Sequence, residues 1–405
     1  MRVLLSSSLA GLLALALVHC SADGAEPSET HDSGTPSFVD AADDARAVSP
    51  DAAPDVSDAG REDVDVPDAG NCSADGWCRT QLPTDGVDLT AVWSFASNDA
   101  IAATASQLIH WDGAAWSAVD APDAEGLTSL WATTPNDLWG VAQYGYRLVH
   151  GTRAAIGEPF AWSRIDFDPG TSPSLEVIRG DGPNDLWIYG TRFGSHYLRH
   201  GVLSVPPDAP GAGPTLKWTT IPINDSSFRI LNSFWPMADK SVWIAGMMSG
   251  DLFGSGVVLR GAPTDIANKY SWSQLLTTAN AGSAALDAVW QASSGPIWTI
   301  GAGGTNFRGV ADTDGSVQWT EVPSNATTSM RGIWGSSESD VWVVGRAGAV
   351  RHWDGTSWKI SRLAVGDKPM WRDLNAVHGG PAGDIWAVGT GVALHRVSST
   401  TGGAP

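Results

Sequence analysis

One pattern limits this chain more than any other: it repeats a short phrase seven times. Leu (once Met), a polar residue, a usually small one, an aliphatic and a closing residue recur as LTAVW (89–93), LTSLW (127–131), LEVIR (175–179), LNSFW (231–235), LDAVW (286–290), MRGIW (330–334) and LNAVH (374–378). Eight residues after each closing position stands a second anchor: Ile101, Trp139, Trp187, Trp243, Trp298, Trp342 and Trp386. That offset never changes, although the copies lie 38 to 56 residues apart. Length variation is therefore confined to the part of each copy beyond its second anchor. A third anchor appears in that part as Trp116, Trp162, Trp218, Trp272, Trp319 and Trp358. Self-similarity at this period marks an array of units that cannot bury their apolar faces alone.

The copy at 330–361 reads as four short strands: MRGIW, DVWVVG, AVRHW and SWKIS. Asp354-Gly355 between apolar flanks predicts a tight hairpin turn joining the last two. With 21 Trp, 46 Gly and almost no helical periodicity, the composition also points to an all-β protein. Six fourth strands follow first strands, and the seventh is missing because the chain ends soon after ALHRVSS. The missing piece stands at the other end. Trp77 precedes Trp93 by 16 residues, against 15 to 20 for the other fourth-strand Trp residues and the next closing position. An open stack would need a polar cap at each end. A ring that joins both termini in one sheet leaves neither end exposed. The expectation is a single seven-bladed β-propeller with four antiparallel strands per blade, its last blade closed by the N-terminal strand Trp77–Leu82.

Ahead of the ring, Met1-Arg2 and the apolar run Val3–Val18 read as an export signal, too short to be preferred as a membrane span. The expected parts are a signal peptide (1–19), an acidic Asp/Ala/Pro linker (20–71) and the propeller (72–405). The net charge of −20 is mostly local: residues 21–71 hold 14 Asp and Glu against 2 Arg, and residues 72–405 hold 30 against 21 Lys and Arg. So little apolar surface cannot offset the ordering entropy, so the linker is expected to be a disordered tether. No basic patch points to nucleic acid.

Leu17-Val18-His19-Cys20 resembles the lipobox of bacterial lipoproteins, with His19 where that family has Gly, Ala or Ser. The resemblance implies lipidation of Cys20, and two acyl chains would anchor stably. Ser21 favours the outer membrane; ordinary cleavage near Ala22, giving a secreted or periplasmic protein, is the alternative. Lipid on Cys20 leaves Cys72 and Cys78 as a disulfide pair in an oxidising compartment. Two Cys without nearby His are too few for a metal site. Over residues 76–398 the repeats resemble those of Trp-rich kelch-like and Asp-box, sialidase-type propellers. They look most like the secreted propeller lipoproteins of predatory Gram-negative soil bacteria, through the DxWxVG and HWDGxxW pieces. In HWDGTSW the Gly directly follows the Asp, which an Asp-box does not have. The resemblance implies a fold, not sialidase chemistry.

His110, His150, His200 and His352, with His395 close by, recur at one position near the end of the third strand, and a residue repeated with the fold reads as part of it, a ligand role being the alternative. Propeller topology puts the second-to-third and fourth-to-first loops on one face. Candidate ligand contacts there are Tyr144 and Tyr146; Arg192, Phe193, His196 and Tyr197; Met247, Met248 and Phe253; and Asn306, Phe307 and Arg308. Exposed aromatics and Arg are typical interface anchors for a protein or a glycan. The polar second positions of the first strands should ring a central funnel near that face: Thr90, Thr128, Glu176, Asn232, Asp287, Arg331 and Asn375. Glu176 and Asp287 with Arg331 could hold a cation or small polar ligand, and solvating the channel is the plainer role. Arg179 and His378 break the closing-Trp pattern and are placed apart, toward the opposite end.

Nucleophile-elbow, phosphate-loop and zinc-protease motifs are absent, so no catalytic residue, metal or cofactor is assigned. The expected function is a non-catalytic, envelope-anchored binding or scaffold module, monomeric, that recognises a protein or polysaccharide. The alternative is a propeller enzyme, a glycan hydrolase or lyase with a polar funnel site.

Overall fold

The computed structural model describes residues 71–397, apart from 122–123, 143–146, 166–173, 183, 193–194, 205–214, 224–227, 249–253, 279–283, 293, 365–368 and 382. The expected export signal, Cys20 and nearly all of the expected linker lie outside the described residues.

Seven four-stranded antiparallel sheets form the ring of a seven-bladed β-propeller. Blades 1 to 6 span 89–118, 127–165, 174–222, 228–277, 286–321 and 330–360. In blade 7 the order is Trp77–Thr80, Val392–Arg396, Ile385–Gly389 and Leu374–Gly379, so the N-terminal strand supplies the outer edge. The constant offset of eight now has a physical meaning. Each closing residue is the cross-strand partner of its second anchor, as in Trp93↔Ile101, Trp131↔Trp139, Arg179↔Trp187 and His378↔Trp386. The first hairpin is therefore fixed in length, and only the later loops can grow.

Trp holds neighbouring blades together. Trp139, Trp187, Trp298 and Trp386, all on second strands, are at most 2% exposed. A fourth-strand Trp packs edge-on against the second-strand Trp of the preceding blade. Trp116 meets Trp386 at 4.9 Å, Trp358 meets Trp298 at 5.1 Å, and Trp77 meets Trp342 at 5.6 Å. The apolar clusters accordingly bridge two blades, as where Trp342 and Val350 of blade 6 pack with Leu374 and Leu394 of blade 7. Fourth-strand Trp residues also explain several third-strand glycines. Gly201 pairs with Trp218, and a Cβ there would lie 2.6 Å from the indole.

The closing strand pairs Trp77↔Arg396, Cys78↔His395, Arg79↔Leu394 and Thr80↔Ala393. It is four residues long rather than the six expected, because its partner begins at Val392 and offers almost nothing beyond Thr80 to pair with. Leu82 is buried nonetheless. Cys72 and Cys78 are disulfide-bonded. Trp77 donates its backbone N–H to Ser73 Oγ (3.1 Å) and its indole N–H to Ser361 Oγ of blade 6 (2.9 Å). The N–H of Arg362 donates to the Asp75 carboxylate, and Arg396 Nε donates to Asp75 O. The turn at residues 72–77 is thus tied to both blades flanking the seam.

The Asp-Gly turn joins its strands as expected but is wider than a tight two-residue connection. Trp353 pairs with Trp358 across four residues, and only Gly355 has positive φ (91°). Asp354 instead accepts the N–H groups of Thr356 and Ser357, and Asp112 does the same in blade 1. The Asp is there for its carboxylate, not for a left-handed backbone.

Candidate functional site: the central channel

The recurring histidines belong to the wall. His110, His150 and His200 each donate Nε2–H to the Asp that opens their blade's second strand (Asp99, Asp137 and Asp185) at 2.8 Å, and His352 does so to Asp340 at 2.7 Å. His395 stands 3.6 Å from Asp384, which also accepts a 2.8 Å bond from Ser94 of blade 1. Where the second anchor is Trp, the imidazole stacks on it: Trp139–His150, Trp187–His200, Trp342–His352 and Trp386–His395 lie 3.8 to 4.2 Å apart. Several of these Trp donate their indole N–H to the same Asp. Burial pushes the Asp185 carboxyl up, but hydrogen bonds from His200 and Lys240 outweigh it and hold it at about 2. Asp99, Asp340 and Asp384 are held below the ordinary range by the same balance. In blade 1 the Asp is shared with Arg153 of blade 2, a buried 2.7 Å ion pair whose guanidinium lies over Phe95 and Phe160. These groups are consumed by architecture.

The polar second positions have a common cause that periodicity does not reveal. In all seven blades the first hairpin shifts register between positions one and three, so the second residue is a β-bulge. A bulge leaves a residue unpaired and re-aims its side chain. Here that side chain often reaches the next blade. Thr90 donates to Leu127 O (2.7 Å), Thr128 to Glu176 O (2.9 Å), Asn232 to Leu286 O (2.8 Å) and Asn375 to Leu89 O (2.9 Å). Arg331 bonds Asn375 Oδ1 (2.7 Å) and lies 3.3 Å from Asp373. Most of this ring is interblade stitching.

A cavity of about 650 Å³ runs through the centre, from these second positions to the first-to-second turns of blades 5 and 6. Asn232, Asp287 and Arg331 line it, but Glu176 does not. Glu176 accepts a 3.1 Å bond from Thr191 of its own blade, and burial raises its carboxyl above the usual value. The sequence pattern groups Glu176 with Asp287 and Arg331; the bulge hands its carboxylate to Thr191 instead. Burial lifts Asp287 to about 6 against the pull of Arg331 and Arg346, and among the described residues no group bonds its carboxylate.

The closing positions form a collar around the same cavity. Trp93 meets Trp131 at 5.2 Å, Trp131 reaches Trp235 at 6.0 Å across blade 3, and Trp235 meets Trp290 at 6.4 Å. His378 packs 4.0 Å from Trp93 and 5.7 Å from Trp334. Arg179 and His378 line the same cavity as the second positions, so the two sets, expected as separate sites, share one void. One void connects them because the first strands run its whole length.

Several proposed loop contacts fall elsewhere. Phe307 is 7% exposed and packs with Trp243 and Val289, because Asn306–Ala311 is the third strand of blade 5 and the preceding loop is only residues 302–305. Arg308 stands opposite Trp298 in that strand, at the position His holds in other blades. His196 and Tyr197 lie inside the strand Ser195–Ser204, and His196 Nδ1 shares a 2.6 Å hydrogen bond with the buried Tyr189 hydroxyl. Met247 and Met248 end a strand, half-buried. Tyr144, Tyr146, Phe193, Phe253 and the Arg192 side chain lie outside the described residues. Among the described residues no helix is long and apolar enough to cross a membrane, and no group of His, Cys, Asp and Glu could hold a metal ion.

This ring has many structural counterparts. YCF48 from Cyanidioschyzon merolae superposes with a TM-score of 0.57 at 14% identity, covering 80% of this chain and 99% of that one. A YCF48 bound to D1 peptide gives 0.56 at 18%, covering 82% and 97%. The WD40 β-propeller domain of Doa1 gives 0.53 at 10%, covering 80% and 98%. The extracellular domain of a one-component system from B. thetaiotaomicron gives 0.56 at 10%, covering 80% of this chain and 40% of that one. At these identities the likeness is one of fold. No family model and no curated protein matches the sequence.

Proposed function

We propose that this protein is an exported, envelope-anchored propeller that binds a protein or polysaccharide and performs no chemistry on it. In this reading residues 1–19 direct export and Cys20 carries lipid at the outer membrane. Residues 20–71 hold the ring away from the surface, and residues 72–405 form the binding module. The secreted Trp-rich propeller lipoproteins it resembles would share that plan. One observation carries the proposal: the histidines and their aspartates are tied into the blade wall, whereas the central cavity and its aromatic collar are left open. A peptide-bound YCF48 supports protein recognition by a propeller of this kind. The rival reading, a glycan hydrolase or lyase, would need two carboxylates flanking a bond, and the Glu176–Asp287 pair suggested for it is not formed, because Glu176 is bonded by Thr191 and does not line the cavity.

The test is a glycan array and an envelope-protein pull-down, run beside a hydrolysis screen with the purified protein. Retention of a partner recovered chemically intact is expected. Turnover that disappears in Asp287→Asn would overturn the proposal. Mass spectrometry of the mature amino terminus should find acylated Cys20, and a free residue near Asp23 would retire the lipid anchor.

A further inference from the structure

We propose that the central cavity is an oxyanion site, in which Arg179 and His378 hold the carboxylate of an acidic sugar against the tryptophan collar. This rests on the binding-module reading and names its ligand. Arg179 and His378 are the two residues that replace Trp at the closing position, and both offer unused donors. Arg179 Nη1 donates to Ser129 Oγ (3.0 Å) and Ile178 O (2.7 Å). Among the described residues its Nε and Nη2 have no acceptor, and no carboxylate lies within ion-pair distance. A cation in that position is costly unless something neutralises it. Burial alone pulls it down to about 10, which still leaves it charged at neutral pH.

His378 adds a second donor. Its Nδ1 accepts the backbone N–H of Ser94 (3.1 Å). Burial and the nearby Arg179 outweigh the pull of Asp384 and hold it at about 3, so the imidazole is neutral and its proton sits on Nε2. That Nε2–H has no acceptor among the described residues. Two donors without acceptors, in a collar whose other closing positions are all Trp, suit a ligand that is an anion on one side and a C–H surface on the other. A uronic acid has both: a carboxylate for Arg179 and a pyranose face for the half-exposed Trp93, Trp131 and Trp235. Asp287, further along the cavity and without a bonding partner among the described residues, would accept hydroxyls from a following sugar. The volume of about 650 Å³ admits more than one ring.

Isothermal titration of the full-length protein with oligogalacturonate, monomeric galacturonate, neutral oligogalactan and a peptide ending in a free carboxylate tests this. The acidic oligosaccharide should bind at least about 30-fold more tightly than the neutral one, as expected when a buried charge loses its partner. The monomer should bind more weakly than the oligomer if the ligand is a chain, and equally if it is a free acid. Arg179→Trp restores the repeat's own residue, so it should fold and lose the acidic preference; Arg179→Gln is the second variant should the first pack badly. Equal binding of neutral and acidic glycans, wild-type affinity in both variants, or full competition by the peptide would overturn the inference. Loop-mediated capture of an envelope partner that survives Arg179→Trp would leave the broader reading intact, whereas turnover of any glycan would remove both.

Discussion

Repetition gives single residues two very different fates here. Asp185 is 13% exposed on its side chain and sits under His200 and Lys240. A carboxyl held at about 2 when folded, against an ordinary value near 3.8, adds stability that is complete above the unfolded value. That contribution is lost as pH falls through about 2, and it amounts to ~2 kcal/mol. Thermal melts should therefore fall steeply from pH 5 to pH 2, and Asp185→Asn should flatten part of that slope. Asp287 has the opposite sign: its folded value of about 6 is above the unfolded one, so the group costs stability as pH rises toward and past 6. Asp287→Asn should raise the melting temperature at pH 7.5 and change it little at pH 4. Melts of both variants across that range check the two signs together.

Among the elements, the hairpin is the unit of design. Eight-residue spacing is readable in the sequence because partners such as Trp131 and Trp139 face each other across a fixed turn. The wall histidines are readable as architecture for the same reason, although their Asp partners are not, since Asp99 to His110 and Asp185 to His200 cross loops of different length. The bulge at every second position stays hidden: alternation of apolar and polar residues looks the same with or without an extra unpaired residue. For that reason the pattern misplaces Glu176. Phe307 escapes for another: the turn before it is so short that a third strand looks like a continuation of the loop. Two changes probe these elements. Gly201→Ala drives a Cβ into the Trp218 ring and should lower stability by roughly 1–3 kcal/mol, measured by urea unfolding. Reducing Cys72–Cys78 opens a loop of separation six at the seam and should cost roughly 2 kcal/mol in the chain-entropy model.

At the scale of the molecule, seven sheets share their apolar faces pairwise, so none is complete until the ring shuts. Trp77 is the piece that shuts it, buried to 1% exposure between blades 6 and 7. Removing it by Trp77→Ala should cost about 3–5 kcal/mol and loosen the seam before the rest. The same closure leaves one channel on the axis, and the two departures from the Trp pattern both open onto it. Amide hydrogen exchange across the seam tests the closed ring most directly. The amides of Trp77–Thr80 that face Val392–Arg396 should exchange as slowly as those of Ile385–Gly389, and should speed up together with Val392–Arg396 in Trp77→Ala. Rapid exchange at Trp77–Thr80 while the other strands of that sheet stay protected would contradict the account.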